Sequence, residues 1–439
     1  MDLKPYALVA VAFGLAGSPS AGEPETKPVK VEITKLHSGY QLLVGGKPFY
    51  IKGAGLAGGS MEKLARHGGN SFRTWHADGR LLDEALKNRL YVTMGLPMTS
   101  ERHGFDYNDT NAVARQLARI KEQVLRYKDH PALIIWAIGN ELNLETKNPK
   151  VWDAVNQVSK MIHQVDTNHL TTSPLAGINP ELIRNLKTRA PDLDLLAFQM
   201  YGDIVNLPRY LRETGWDGPY IITEWGATGH WEVGKTAWGA PLENDSATKA
   251  DLYLSRYKQV IAADEKNCLG SYAFLWGQKQ ERTPTWYGLF LQTGEETPAI
   301  DSLHYLWRGE WPANRGPHVE GLWLDAKTTS ENVRLNPGQS YKAKIAATDP
   351  DGDSLSYRWV VMEESTDLKT GGDFESTPKT LVGLIDAPAR AEVSLTAPSK
   401  PGAYRLFAYV YDSKGHAGHA NLPFYVGENS DSTSADAGK

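Results

Sequence analysis

The sequence predicts an α/β protein: a (β/α)₈ TIM barrel followed by a C-terminal all-β sandwich of immunoglobulin-like type. Three observations carry that expectation. Eight short apolar runs alternate with helix-period segments between residues 49 and 276. The rhythm stops at the loop Trp311-Pro312-Ala313-Asn314-Arg315-Gly316-Pro317. From about residue 318 to 427 the pattern becomes short alternating strands, as in Tyr341 to Ala347, Ser356 to Val361 and Ala403 to Tyr411.

Taken in order, residues 1–21 read as a secretory signal peptide. Lys4 precedes the apolar run Tyr6 to Ala16, and small residues Gly17 to Gly22 follow; the run is too short for a membrane span. The expected compartment is therefore secreted or periplasmic. Residues 27–316 form the expected catalytic unit, opening with a β-meander over 31–34, 40–44 and 49–52. Barrel strands are expected at 49–53, 70–75, 90–97, 133–139, 170–175, 193–201, 220–225 and 270–276. The stretch Ala112 to Leu125 carries apolar residues at helical spacing after an Asn-rich start. A doubly wound open sheet is the alternative, less suited to eight strands in under 300 residues. Residues 317–427 form the sandwich, and the polar 428–439 read as a disordered tail.

A formal net charge of −5 gives no basic footprint, so nucleic acid and anionic membranes are poor partners, and no obligate protein partner is evident. The single Cys268 permits no intrachain disulfide, and its apolar flanks suit a buried, inert thiol. Thirteen Trp and twenty Tyr supply many apolar platforms of the kind on which the CH faces of sugars lie.

Two glutamates carry the chemistry. Glu141 ends Ile134-Ile135-Trp136-Ala137-Ile138-Gly139-Asn140-Glu141, and Glu224 ends the apolar part of Tyr220-Ile221-Ile222-Thr223-Glu224-Trp225-Gly226. A buried parallel strand would deliver each carboxylate to the C-terminal mouth of a barrel. Glycoside cleavage needs such a pair: one acid to protonate the leaving oxygen, one carboxylate to attack or to activate water.

With their neighbours, these strings resemble the retaining glycoside hydrolases that have a (β/α)₈ barrel, an Asn-Glu acid/base on strand 4 and a nucleophile on strand 7. In the count above, Glu141 closes the fourth strand and Glu224 the seventh. The resemblance is nearest to glycoside hydrolase family 2 catalytic barrels, and looser to β-1,3-glucanosyltransferases and cellulase-like enzymes. It implies an arginine on strand 2, a tyrosine after strand 6 and a tryptophan on strand 8, places held by Arg73, Tyr201 and Trp276. It further implies that Glu141 is the acid/base, that Glu224 is the nucleophile held and lowered in pKa by Arg73 and Tyr201, and that Asn140 bonds the sugar 2-hydroxyl. A retaining mechanism would put the two carboxyl groups roughly 5–5.5 Å apart. A short β-meander stands where family 2 has N-terminal sugar-binding and immunoglobulin-like domains, so exo-specificity for galactosides or glucuronides is not carried over.

Trp75, His76 and Glu101-Arg102-His103 follow early strands, and Trp231, Glu232 and Trp238 lie in the loop after strand 7; all are candidates to line the substrate site. Other signals compete. Gly53-Ala54-Gly55-Leu56-Ala57-Gly58 matches a dinucleotide fingerprint with Asp78 about 20 residues on, against the alternative of glycines packing a barrel turn. Asp349-Pro350-Asp351-Gly352-Asp353 reads as a sandwich turn or as oxygen ligands for calcium. The proposed chemistry requires neither cofactor nor metal. The expected function is exported, retaining hydrolysis of β-linked glycans, with β-glucan, including the β-1,3 linkage, as the first substrate class. Transglycosylation through the same residues and non-catalytic glycan binding are the rivals.

Overall fold

The computed structural model describes residues 27–427. The expected signal peptide, 1–21, and the tail, 428–439, lie outside the described residues.

The chain opens with an antiparallel meander, β1 (Val31–Leu36), β2 (Gly39–Val44) and β3 (Lys47–Phe49). Val31, Leu42 and Val44 pack against Ile51, Ile134, Leu195, Ile221 and Leu269, residues at or near the starts of barrel strands. The meander therefore stoppers the N-terminal end of the barrel and leaves the opposite end open for chemistry.

The barrel follows in strict alternation: β4 (Ile51–Ala57), α1 (Met61–Arg66), β5 (Ser71–Arg73), α2 (Gly79–Lys87), β6 (Tyr91–Leu96), α3 (Thr110–Tyr127), β7 (Leu133–Ile138), α4 (Lys150–Val165). It continues through β8 (Leu170–Thr172), β9 (Pro174–Ala176), α5 (Pro180–Arg189), β10 (Leu196–Gln199), α6 (Leu207–Thr214), β11 (Tyr220–Gly226), α7 (Ser246–Arg256), β12 (Cys268–Gly277) and α8 (Pro298–Arg308). The sheet order is β8-β7-β6-β5-β4-β12-β11-β10-β9. Only Ser173 separates β8 from β9, so the two are halves of one strand and the ring closes with eight positions. Every pair that has been named in the ring is parallel. That closure excludes the open-sheet alternative.

Local chemistry explains the element boundaries. Asp109 caps α3 by accepting from the Asn111 and Ala112 N–H groups, and Asn179 caps α5, where Pro180 occupies the first helical turn. β7 and β11 are buried along their whole length, as strands enclosed by both a barrel interior and an outer helix ring must be. The glycine run at 53–58 lies within and just after β4. A Cβ at Gly53 would stand 2.4 Å from the Ser71 carbonyl oxygen and one at Gly55 2.8 Å from Trp75, so these glycines admit neighbouring strands and rings. Asp78 caps α2. The dinucleotide reading has no site here.

The C-terminal unit has two sheets, built from β13 (His318–Leu324), β14 (Arg334–Leu335), β15 (Ser340–Thr348), β16 (Ser356–Glu363), β17 (Thr380–Leu381), β18 (Ile385–Asp386), β19 (Glu392–Thr396), β20 (Gly402–Tyr411) and β21 (Ala417–Val426). Their orders are β13-β15-β19-β18 and β14-β21-β20-β16-β17, and one apolar core including Leu324, Ile345, Trp359, Leu395, Leu406 and Phe424 lies between them. β21 is buried almost throughout because its outer face meets the barrel. There Asn421 Nδ2 donates to Glu243, whose carboxylate also takes Lys249 and Thr283, while Arg405 reaches Glu364, Asn421 and the Pro241 carbonyl. Glu296 adds a second tie, paired with Lys63, His67 and His416.

Candidate active site

Backbone geometry sets the first carboxylate. β7 ends at Ile138, and the chain turns through Gly139 at φ 69° into Asn140 and Glu141, itself at φ 48°. A non-glycine residue in the left-handed region costs of order 1 kcal/mol and commonly marks functional sites. The turn is held by Gly139 N–H to the Leu96 carbonyl at 2.8 Å and Glu141 N–H to the Pro174 carbonyl at 2.9 Å. The second carboxylate, Glu224, lies within the last residues of β11, buried at 6% exposure.

Four donors converge on Glu224. Oε1 accepts from Arg73 Nη1 at 3.0 Å, Gln199 Nε2 at 2.9 Å and Trp75 Nε1 at 3.2 Å, and Oε2 accepts from the Tyr201 hydroxyl at 2.7 Å. Arg73 also donates to Asn140 Oδ1 at 2.9 Å and to the Thr223 carbonyl, and its guanidinium lies 4.7 Å from the Trp75 ring centre. Gln199 Nε2 donates to Asn140 Oδ1 as well, at 2.9 Å. Asn140 thus spends its oxygen on holding the site together, and its amide N–H groups remain for a ligand.

The electrostatics separate the pair. Burial, then the charge of Glu224, pushes Glu141 up to about 8, and no hydrogen-bond donor among the described residues bonds its carboxylate. Burial raises Glu224 too, and in the net it outweighs Arg73, Tyr201, Lys279 and Trp75, which pull the other way. The sequence-based expectation of a lowered Glu224 is corrected on this point. What distinguishes the two groups is the donor set: a negative charge is solvated by protein at Glu224 and not at Glu141, so a single shared proton resides on Glu141.

Both carboxylates open into one cavity of about 1330 Å³ at the C-terminal mouth of the barrel. Trp75, Asn140, Tyr201, Trp231 and Trp238 line it, and Arg73 stands just behind. Trp231 is 57% exposed and meets Tyr201 edge-on at 5.5 Å, which leaves a ring face for an apolar ligand surface. Trp238 is partly buried against Tyr425 and Arg334. Glu232 turns its carboxylate inward, accepting the N–H groups of Gly202, Asp203 and Gly229, each at 2.7 Å, and so ties the loop after β11 to the turn that follows Tyr201.

Two expected lining residues lie elsewhere. His76 is exposed and outside the cavity, because β5 ends at Arg73 and the chain has turned toward α2. Trp276 is fully buried: its Nε1 donates to the Ser60 carbonyl at 2.9 Å and its ring packs on Phe290 and on Trp307 of α8. Phe274 takes the cavity position instead. Of the triplet after β6, Arg102 and His103 line the cavity, whereas Glu101 accepts the Lys147 and Asn148 N–H groups.

The sequence reading passed over Gln199, Lys279 and Glu281. A polar residue ending the apolar run 195–199 was the available signal for Gln199; Lys279 and Glu281, paired at 2.8 Å, lie in a loop with no periodic pattern. Cys268 is buried, with its thiol pushed up to about 12 by burial. Asp349, Asp353 and Asp412 each bring a carboxylate oxygen within 4.8 Å of the others, a set that could hold a cation, and none lines the cavity. Asp349 Oδ1 also accepts the N–H groups of Asp351 and Asp353, closing the turn. No helix of the described residues is long and apolar enough to cross a membrane.

Residues 81–290 match the family described as glycosyl hydrolases family 2, TIM barrel domain. Among solved structures, the chain is similar to the β-glucuronidase of Bifidobacterium dentium complexed with coumarin-3-O-glucuronide, at 18% identity and a TM-score of 0.51 over 64% of this chain and 49% of that one. It is also similar to Bacteroides uniformis β-glucuronidase 2 covalently bound to cyclophellitol-6-carboxylate aziridine, at 14% identity and TM-score 0.48 over 91% and 48%. The Ruminococcus gnavus β-glucuronidase in complex with a C6-substituted uronic isofagomine gives 16% identity and TM-score 0.49 over 64% and 52%. The chain spans about half the length of these structures. At 18% identity the first of these likenesses is one of fold. No curated protein matches the chain.

Proposed function

We propose, from the premise that this chain carries a catalytic barrel of the glycoside hydrolase family 2 kind, that it hydrolyses β-linked glycans by double displacement with retention. In this reading Glu141 protonates the leaving oxygen, and Glu224 attacks the anomeric carbon to form a glycosyl ester. Glu141, now a carboxylate, then takes a proton from the water that opens the ester. Arg73, Trp75, Gln199 and Tyr201 orient and solvate the attacking carboxylate, and Asn140 offers its amide N–H to the sugar.

One observation carries the assignment. In a single cavity Glu224 has four donors and Glu141 has none, with Glu141 shifted to about 8. That asymmetry suits one carboxylate kept charged for attack and one acid kept protonated near neutral pH.

β-Glucans, the β-1,3-linked ones included, are the first substrates to assay, because an equatorially substituted pyranose has a flat CH face to lay on Trp231. The support for export is the apolar run Tyr6 to Ala16 followed by small residues. Proton NMR of the first product formed from β-glucan, β-galactan and β-mannan oligosaccharides tests the reading. A β-anomer at early times is expected; an α-anomer, or no cleavage of any glycan, overturns it. Longer products beside shorter ones would assign the second displacement to a sugar acceptor.

A further inference from the structure

The sandwich sends one long connection, residues 364–379 between β16 and β17, across the barrel mouth. Its anchors are specific. Asp373 takes Arg102 in a bidentate pair at 2.6 and 3.0 Å and His103 Nε2 at 3.0 Å. Glu375, 1% exposed, pairs with the Arg282 guanidinium and accepts the Arg282 N–H at 2.6 Å. Lys279 Nζ donates to the Gly372 carbonyl at 2.8 Å and Arg282 Nη2 to the Lys369 carbonyl at 2.9 Å. Arg102, His103, Lys279 and Arg282 all follow the C-terminal ends of barrel strands β6 and β12, so the loop is seated on the rim of the catalytic mouth.

The seat is close. Gly371 and Gly372 have φ of 65° and 70°, and a Cβ at Gly371 would fall 2.7 Å from Leu144 Cδ2 and 2.8 Å from Arg102 Nη2. Leu144 is one turn past Glu141, its N–H bonded to the Glu141 carbonyl at 2.9 Å, and Arg102 is near enough to act on the Glu141 charge. The loop therefore stands on the side of the proposed acid, where the leaving group departs. Leu368, Thr370 and Asp373 line the same cavity as both carboxylates. Leu368 is 57% exposed and so offers an apolar surface to that cavity. The cavity volume, about 1330 Å³, also exceeds the roughly 300–1,000 Å³ usual for small-molecule sites.

We propose that this sandwich loop is the leaving-group wall of the substrate cleft, binding the sugar units that depart from the cleaved bond, with Leu368 as their apolar contact and Asp373 as the residue that positions the wall. The proposal rests on the reading of Glu141 as the acid. It makes the C-terminal unit a determinant of specificity toward oligosaccharides.

The test compares wild type, Leu368→Ala and Asp373→Ala on 4-nitrophenyl β-glucoside, whose leaving group is one ring, and on laminaritetraose and cellotetraose. The ratio of kcat/KM for the tetrasaccharide to that for the aryl glycoside is expected to fall about fivefold or more in both variants, the scale of losing part of a leucyl contact. An unchanged ratio overturns the proposal even if both rates drop together, since that is the mark of a merely structural role. If wild type cleaves none of the three, titration calorimetry with the tetrasaccharides decides the wall by itself. About fivefold weaker binding by Leu368→Ala upholds it, and equal affinity, or no binding to wild type, overturns it.

Discussion

Arg73 Nη1 stands 3.0 Å from Glu224 Oε1, and neither side chain is more than 8% exposed. A charge pair this deep needs further bonds to offset its desolvation: Arg73 also donates to Asn140 and the Thr223 carbonyl, and Glu224 also accepts from Trp75, Gln199 and Tyr201. The same bonds fix the Glu224 rotamer before any substrate arrives.

Removing one donor should therefore cost activity more than stability. Tyr201→Phe deletes the single bond to Glu224 Oε2, and kcat/KM should fall about 10- to 100-fold, the range of about 1–3 kcal/mol for an unmade bond to a charged group. Steady-state kinetics on the best substrate, with circular dichroism to confirm folding, checks this.

Glu141→Gln keeps the shape and removes the proton. Its kcat should fall by about 10²- to 10⁴-fold on glycans, and far less on an aryl glycoside whose phenolate leaves unaided. Comparison of the two substrate types reads the difference.

The pH profile has a definite sign. Glu141 must be protonated to act, so activity should be lost as pH rises through about 8; Glu224 must be ionised, and burial sets the acid limb above the ordinary carboxyl range. Stability follows the same proton. Between the ordinary carboxyl range and about 8 the native state holds a proton that the unfolded chain has released, so this group makes stability fall as pH rises through that window. Melting curves should show Glu141→Gln matching wild type at pH 5 and exceeding it at pH 9.

Glu243 behaves oppositely. Burial alone would raise it, but Lys249 and His419 bring it down to about 2, so its contribution is present above the ordinary carboxyl range and lost as pH falls toward about 2. Glu243→Ala leaves Lys249 buried without a counter-charge, and denaturant unfolding at pH 7 should show a loss of about 3–5 kcal/mol.

The barrel was legible because parallel strands buried on both faces leave unbroken apolar runs, and each of the eight expected strands overlaps an observed one. Strand 5 alone hid its interruption at Ser173, where a single residue leaves no periodic trace. The carboxylates were legible from their place at strand ends. Trp276 and His76 were misplaced because a strand end specifies which residues approach the mouth and not which way each ring turns. The wall at 364–379 was not legible, since its partners Arg102 and Arg282 are far off in sequence and long-range ion pairs leave no local pattern.

The central claim, that Glu224 is the nucleophile and Glu141 the acid, is tested most directly by trapping. The protein is incubated with a 2-deoxy-2-fluoro β-glycoside of the best substrate sugar that carries an activated leaving group, then digested and mapped by mass spectrometry. The account predicts one fluoroglycosyl ester, on Glu224. An ester on Glu141 or on any other residue would contradict it.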